Sequence, residues 1–173
     1  EDQIIIDALN AASAGTTVAK TVVTTGSAAA SNLNVGKLLA AKKGLDAKNV
    51  PPTDRHIVIH ANNLAGLLGD ERAISSDFQT ISALVNGSVN SMLGFTFHIV
   101  GDRDEGGLAI DGSSDRVCFA FHKDAMGMGI GMNETSRVDY IPEKTSFLVA
   151  SMFSAGAVAI DPDGITKITC RES

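Results

Sequence analysis

The stretch from His122 to Met132, HKDAMGMGIGM, sets Gly127, Gly129 and Gly131 two apart, a density that first raises phosphate binding. A dinucleotide fingerprint needs G-x-G-x-x-G between a strand and a helix, so that backbone amides and a helix N-terminus meet the phosphate. The third glycine should stand at position 132, which is Met132, and the polar run NETSRVDYIPEK that follows is broken by Pro142. A Walker loop would need Gly-Lys-Ser or Gly-Lys-Thr, and the sequence has neither. The same letters read as a strand. Its glycines share one face, Met126, Met128, Ile130 and Met132 share the other, and a glycine face lets a neighbouring element come close.

The other chemically suggestive groups are weaker. His56 and His60 have the i, i+4 spacing of a helical zinc pair, but HIVIH reads as a strand, where that spacing separates them by about 13 Å. The acidic loop Asp102-Arg103-Asp104-Glu105-Gly106-Gly107 resembles the start of a calcium loop, yet the twelfth place holds Ser113 where a glutamate is needed. Cys118 and His122 fall on one strand face without the close contact that a nucleophile and base require. No G-x-S-x-G occurs. The residues therefore give no catalytic, cofactor-binding or metal site, and no cofactor is expected. A small ligand-binding or enzymatic domain using the Gly127–Gly131 stretch is the weaker alternative.

The 173 residues are one domain's worth of chain, 44% hydrophobic and 20% charged, enough for a real core. Lys and Arg number 14 against 20 Asp and Glu, a formal charge of −6, which argues against a nucleic-acid grip built on a basic stripe. No apolar run approaches the roughly 18–20 residues of a membrane span, and no secretory signal opens the sequence, so no membrane partner is expected. Cys118 and Cys170 are expected to pack as reduced thiols. The sequence starts at Glu1 with no methionine before Met92, which reads as a fragment or processed product.

Periodicity supplies the elements. Glu1–Ala12 reads as a short helix with Ile5, Leu9 and Ala12 on one face. Asn34 is placed to cap a second helix carrying Val35, Leu38, Leu39 and Leu45, with Lys37, Lys42 and Lys43 turned away. Pro51 and Pro52 break the chain before the strand His56–His60, and Asn62 or Asn63 is expected to cap a brief helix through Leu68. Ser76 and Gln79 resemble a capping box opening a helix through Phe78, Ile81, Leu84, Val85, Val89 and Met92, ending near Gly94. Beyond it the pattern is β-rich: FTFHIV, RVCFAFH, the glycine strand, and AGAVAI with ITKITC as a hairpin about the turn Asp161-Pro162-Asp163-Gly164. Helices first and strands later imply an α+β fold.

Two stretches carry a resemblance: VPPTDRHIVIHANNLAGLL, and AFHKDAMGMGIGMNETSRVDYIPEKTSFLVASMFSAGAVAIDPDGITKI. Over roughly Leu33 to Cys170 the sequence resembles the major capsid proteins of tailed bacteriophages. The resemblance implies that fold, with residues 1–32 as the end of a spine helix and a connector, 33–144 as an axial domain, and 145–173 as returning strands of a peripheral domain. The family's N-terminal arm, extended loop and most of its spine helix would then lie upstream of Glu1, and this piece alone should assemble poorly. The implied function is an icosahedral head subunit of a phage or prophage, without catalysis, located in the virion and in the host cytoplasm during assembly. Its implied partners are other copies of itself, as hexamers and pentamers, a scaffold, a portal and a maturation protease, with packaged DNA only as non-specific contents. A bacterial nanocompartment shell of the same fold is the alternative within that family.

Overall fold

The computed structural model describes residues 2–70, 91–102 and 106–172. Among the described residues, three helices, α1 (Asp2–Ala11), α2 (Val35–Ala47) and α3 (Ala61–Leu68), accompany eight strands. These are β1 (Thr16–Val18), β2 (Arg55–His60), β3 (Ser91–Met92), β4 (Phe95–Val100), β5 (Asp115–His122), β6 (Met126–Ile141), β7 (Ser146–Ala159) and β8 (Ile165–Arg171). The α+β class expected from the sequence is the class observed. No described helix is long and apolar enough to cross a membrane.

Helix α2 starts where expected, with the Asn34 side chain accepting from the Lys37 amide at 2.9 Å. Its phase differs from the sequence reading. Val35, Leu38, Ala41 and Leu45 are buried, Leu39 is exposed, and Lys37 is fully buried with its Nζ donating to the carbonyls of Ser31 (2.5 Å) and Thr169 (3.1 Å). Lys37 lies one turn before Ala41 and two before Leu45, so it shares the core-facing stripe, and two carbonyls replace its lost water. Burial pushes its ammonium below the ordinary lysine value. Helix α3 is capped by His60, two residues before Asn62, the earlier of the two expected caps. The His60 ring accepts from the Asn62 amide, and Asn63 Oδ1 accepts from the His60 amide, a capping box in which histidine takes the serine's role.

Gly36 tests how tightly α2 is seated. A Cβ there would lie 2.7 Å from the Val23 carbonyl oxygen, a backbone atom that cannot swing aside. Gly36→Ala gains up to about 1 kcal/mol of helix propensity but incurs overpacking of about 1–3 kcal/mol. The expected result is net destabilisation, read as a lower urea midpoint at unchanged slope.

Six strands form one mixed sheet in the order β1-β8-β5-β2-β4-β3, with β1 parallel to β8, β2 parallel to β4, and the other neighbours antiparallel. Ile57, Ile59, Phe95, Phe119, Ile165 and Ile168 pack with Leu9, Leu38 and Leu45 in the core. Strands β6 and β7 stand apart as a two-stranded ribbon. Two sequence expectations change here. The helix expected from Ser76 to Gly94 lies mostly outside the described residues, but its end is a strand: Ser91 and Met92 pair with Thr96 and Phe95. Leu93 (φ 54°) and Gly94 (φ 86°) both have positive φ and form the tight turn between β3 and β4. The expected β7–β8 hairpin is also absent. The Asp161–Gly164 turn forms, with Asp161 Oδ1 accepting from the Asp163 amide at 3.0 Å, but it carries the chain from the ribbon into the six-stranded sheet. A local turn signal fixes a reversal without fixing which strands then pair.

Candidate functional site

The ribbon is the surface that needs explaining. Strand β6 runs 16 residues, roughly 50 Å at strand rise, and its register pairs Met126 with Ala159 at the base and Ile141 with Ser146 at the tip. Pro142–Lys144 and Thr145, in the left-handed region at φ 49°, close the tip. Most large apolar residues left exposed among the described ones lie on these two strands. Near the tip, Val138 pairs with Val149 and Tyr140 with Phe147, the last two rings 5.3 Å apart, so all four share one face. Phe147 is 72% exposed and Val149 68%. Strand β7, SFLVASMFSAGAVA, has no charge and no proline in 14 residues. Strand β6 carries Glu134, Arg137 and Asp139, the last two ion-paired at 2.9 Å. The bare apolar surface is therefore the one face of Val138, Tyr140, Phe147 and Val149, and an exposed apolar face of this kind marks a surface made to be covered.

The Gly127–Gly131 stretch is the base of this ribbon, as a strand, and Ala125 and Pro142 bracket it without a following α-helix. One detail differs from the sequence reading. The register steps from Ile130 opposite Ala155 to Met132 opposite Ser154, so Gly131 is the extra residue of a β-bulge and Met132 moves to the face of Gly127 and Gly129. The glycine face meets little. A Cβ on Gly127 would touch the Ile160 side chain at 2.9 Å, whereas one on Gly129 or Gly156 would meet nothing within 4 Å. The glycines leave a flat strip rather than holding a close neighbour.

The remaining candidates are separated by the fold. His60 is buried between Asp102 and Glu172, each with an oxygen 3.6 Å from a ring nitrogen. His56 lies elsewhere, its Nδ1 3.0 Å from Nε2 of His98, a contact across β2 and β4 that sequence spacing could not reveal. Arg103, Asp104 and Glu105 lie outside the described residues, and Asp102 accepts from Arg116 Nη1 at 3.0 Å. Cys118 and His122 do not meet in a nucleophile–base pair: the His122 ring accepts from the Asp124 amide, while Cys118 sits 3.4 Å from Asn63 Oδ1. A hydrogen bond with Cys170, then burial, pushes the Cys118 thiol well above the ordinary range, so it is held as a neutral core thiol.

Over residues 1–172 the sequence matches the phage capsid protein family. The chain belongs to that family. It matches none of the curated proteins compared with it. Among solved structures, it is similar to Mycobacterium phage Che8 (22% identity, TM-score 0.66, covering 96% of this chain and 57% of the other). It is also similar to the capsid of cyanophage P-SCSP1u (21%, TM-score 0.67, 98% and 60%) and the head of Helicobacter pylori bacteriophage KHP40 (10%, TM-score 0.71, 99% and 65%). At these identities the likeness is one of fold, and the chain spans about three-fifths of the length of these relatives.

In this capsid-family chain the end of β8 is fastened by charge. Arg171 Nη2 and Lys20 Nζ donate to Asp115 Oδ2 at 3.2 and 2.6 Å, with Arg171 Nε on Oδ1 as well. The hydrogen bonds from Arg171, then from Lys20, hold the Asp115 carboxyl at about 2. A carboxyl depressed on folding stabilises the folded state above its unfolded value of about 3.9, and that contribution is lost as pH falls through about 2. Asp115→Asn is therefore expected to lower stability at neutral pH and to leave a smaller difference from the parent near about pH 2, measured by denaturant titration at both.

Proposed function

We propose that this chain is the shell-building part of a phage major capsid protein, a structural subunit with no reaction to catalyse. The observation that carries the reading is the bare apolar face of the ribbon, in a chain whose whole length matches a phage capsid family. A closed symmetric shell needs complementary faces rather than a pocket, and repeated copies supply them. The fold shared with phage heads supports assembly of copies as hexamers and pentamers, location in the virion, and assembly in the host cytoplasm. Scaffold, portal and maturation protease are the partners that go with it. Packaged DNA would be enclosed without specific contact, in keeping with the net charge of −6. No observation favours a nanocompartment shell over a phage head.

The division into an axial part (33–144) and a peripheral part (1–32 and 145–173) belongs to the same proposal. The six-stranded sheet takes strands from all three segments, so that division is to be read in an assembled particle. The test is co-expression of the protein with the other head proteins of its genome, followed by sedimentation. Fast-sedimenting particles are expected. A saturable thermal shift with nucleotide or divalent metal, and no particles, would overturn the reading.

A further inference from the structure

We infer that His56 and His98, joined to each other across β2 and β4 within the six-stranded sheet, form an acid-sensitive seat on the sheet side of the pocket that α1 and the ribbon base also line, intact while at least one ring is neutral and disturbed when both are protonated. The contact of 3.0 Å between His56 Nδ1 and His98 Nε2 is a hydrogen bond only if one nitrogen accepts, which a doubly protonated pair cannot do. The ring centroids are 5.1 Å apart, and the His56 ring also packs on Phe121 at 5.9 Å.

The pair lines a cavity of about 290 Å³ where three elements meet. Helix α1 contributes Ile5, β6 contributes Met126, Gly127 and Met128, and β7 contributes Ala157, none of which titrates. The charged or titratable groups acting on His56 besides His98 are Asp54 ahead of β2, His122 at the end of β5, and Lys123 in the turn after it. Asp54 is the one acid in that set, and Lys123 opposes it. A second proton on the pair would thus be repelled by the first and by Lys123, with Asp54 the one acid among the described groups acting on His56 to offset them.

Burial, then the neighbouring His98, holds His56 below the ordinary histidine value. A histidine whose folded value lies below its unfolded value of about 6.5 stabilises the intact seat above that pH, and the contribution is lost as pH falls through the lower folded value. Acid should therefore loosen the places where α1 and the ribbon base rest on the sheet, while the β5–β8 core stays closed.

Hydrogen exchange on this chain at about pH 8 and about pH 5, corrected for intrinsic rates, tests the inference. The expected result is a several-fold greater loss of protection at Met126–Met128, Ala157–Ala159 and α1 than in β5 and β8. His98→Gln keeps a hydrogen-bonding partner without a titrating charge, and protection there should become nearly independent of pH. His98 is exposed, so the variant should fold, and His56→Gln serves as the second variant. The same acid response in both variants, or equal protection across the parent at both pH values, would overturn the inference. So would two histidine rings that titrate independently by NMR.

Discussion

Replacing Phe147 and Val149 together by aspartate is expected to abolish particle formation while leaving the chain folded. Both side chains are largely exposed on one ribbon face, opposite Tyr140 and Val138, so in the isolated chain the change should stay within about 0.5 kcal/mol per site. In the proposed head the same face is covered, and each aspartate would then be a desolvated charge without a partner, costing several kcal/mol. Every copy carries the substitution, so the cost recurs at each equivalent contact of a closed assembly. Thermal melts of the chain check the first half, and sedimentation of the co-expressed protein checks the second. Particles at the parent's yield would show that this face is not buried on assembly.

The largest effect on folding is expected from Arg116→Met. Arg116 is buried, and its Nε donates to Glu172 Oε1 at 2.6 Å, its Nη2 to Glu172 Oε2 at 3.3 Å, and its Nη1 to both Asp102 and the Leu108 carbonyl. The bidentate grip ties the last residues of the chain to β5, next to His60. Removing the guanidinium leaves Glu172 nearly buried without its cation and should cost about 3–5 kcal/mol, a large share of a typical domain's stability. Adding Glu172→Gln to Arg116→Met should recover part of that loss, because the stranded charge goes too. Equilibrium urea unfolding of the two single variants and the double reports the coupling. Strictly additive losses would mean that the pair does not act as a unit.

Much of the fold is legible where a local rule decides the outcome. Asn34 caps α2 because a short polar side chain before an apolar stripe has an orphan amide to satisfy. The prolines before Arg55 end one element and the β-branched run after them starts another. The glycine stretch could be dismissed as a phosphate loop and read as a strand from spacing alone. What could not be read depends on partners distant in sequence. Lys37 looks like a solvent-facing lysine until the carbonyls of Ser31 and Thr169 are seen beneath it. The Asp161–Gly164 turn looks like a hairpin until β8 is found between β1 and β5. Met132 looks like a neighbour of Met128 until the bulge at Gly131 turns it over.

The candidate surface was partly visible as well. Fourteen residues of β7 without a charge or proline are a signal in the sequence, but apolar composition does not say whether a strand is core or surface. Only the exposure of Phe147 and Val149 separates the two. The His56–His98 contact left no local trace, because the parallel pairing of β2 with β4 joins residues 42 positions apart.

Electron microscopy of the protein co-expressed with the other head proteins of its genome tests the central claim most directly. The expected result is closed shells, or at least capsomer rings and sheets, with density for the β6–β7 ribbon buried in the wall. A protein that remains a dispersed monomer under those conditions, or shells whose ribbon faces stand free in solvent, would contradict it.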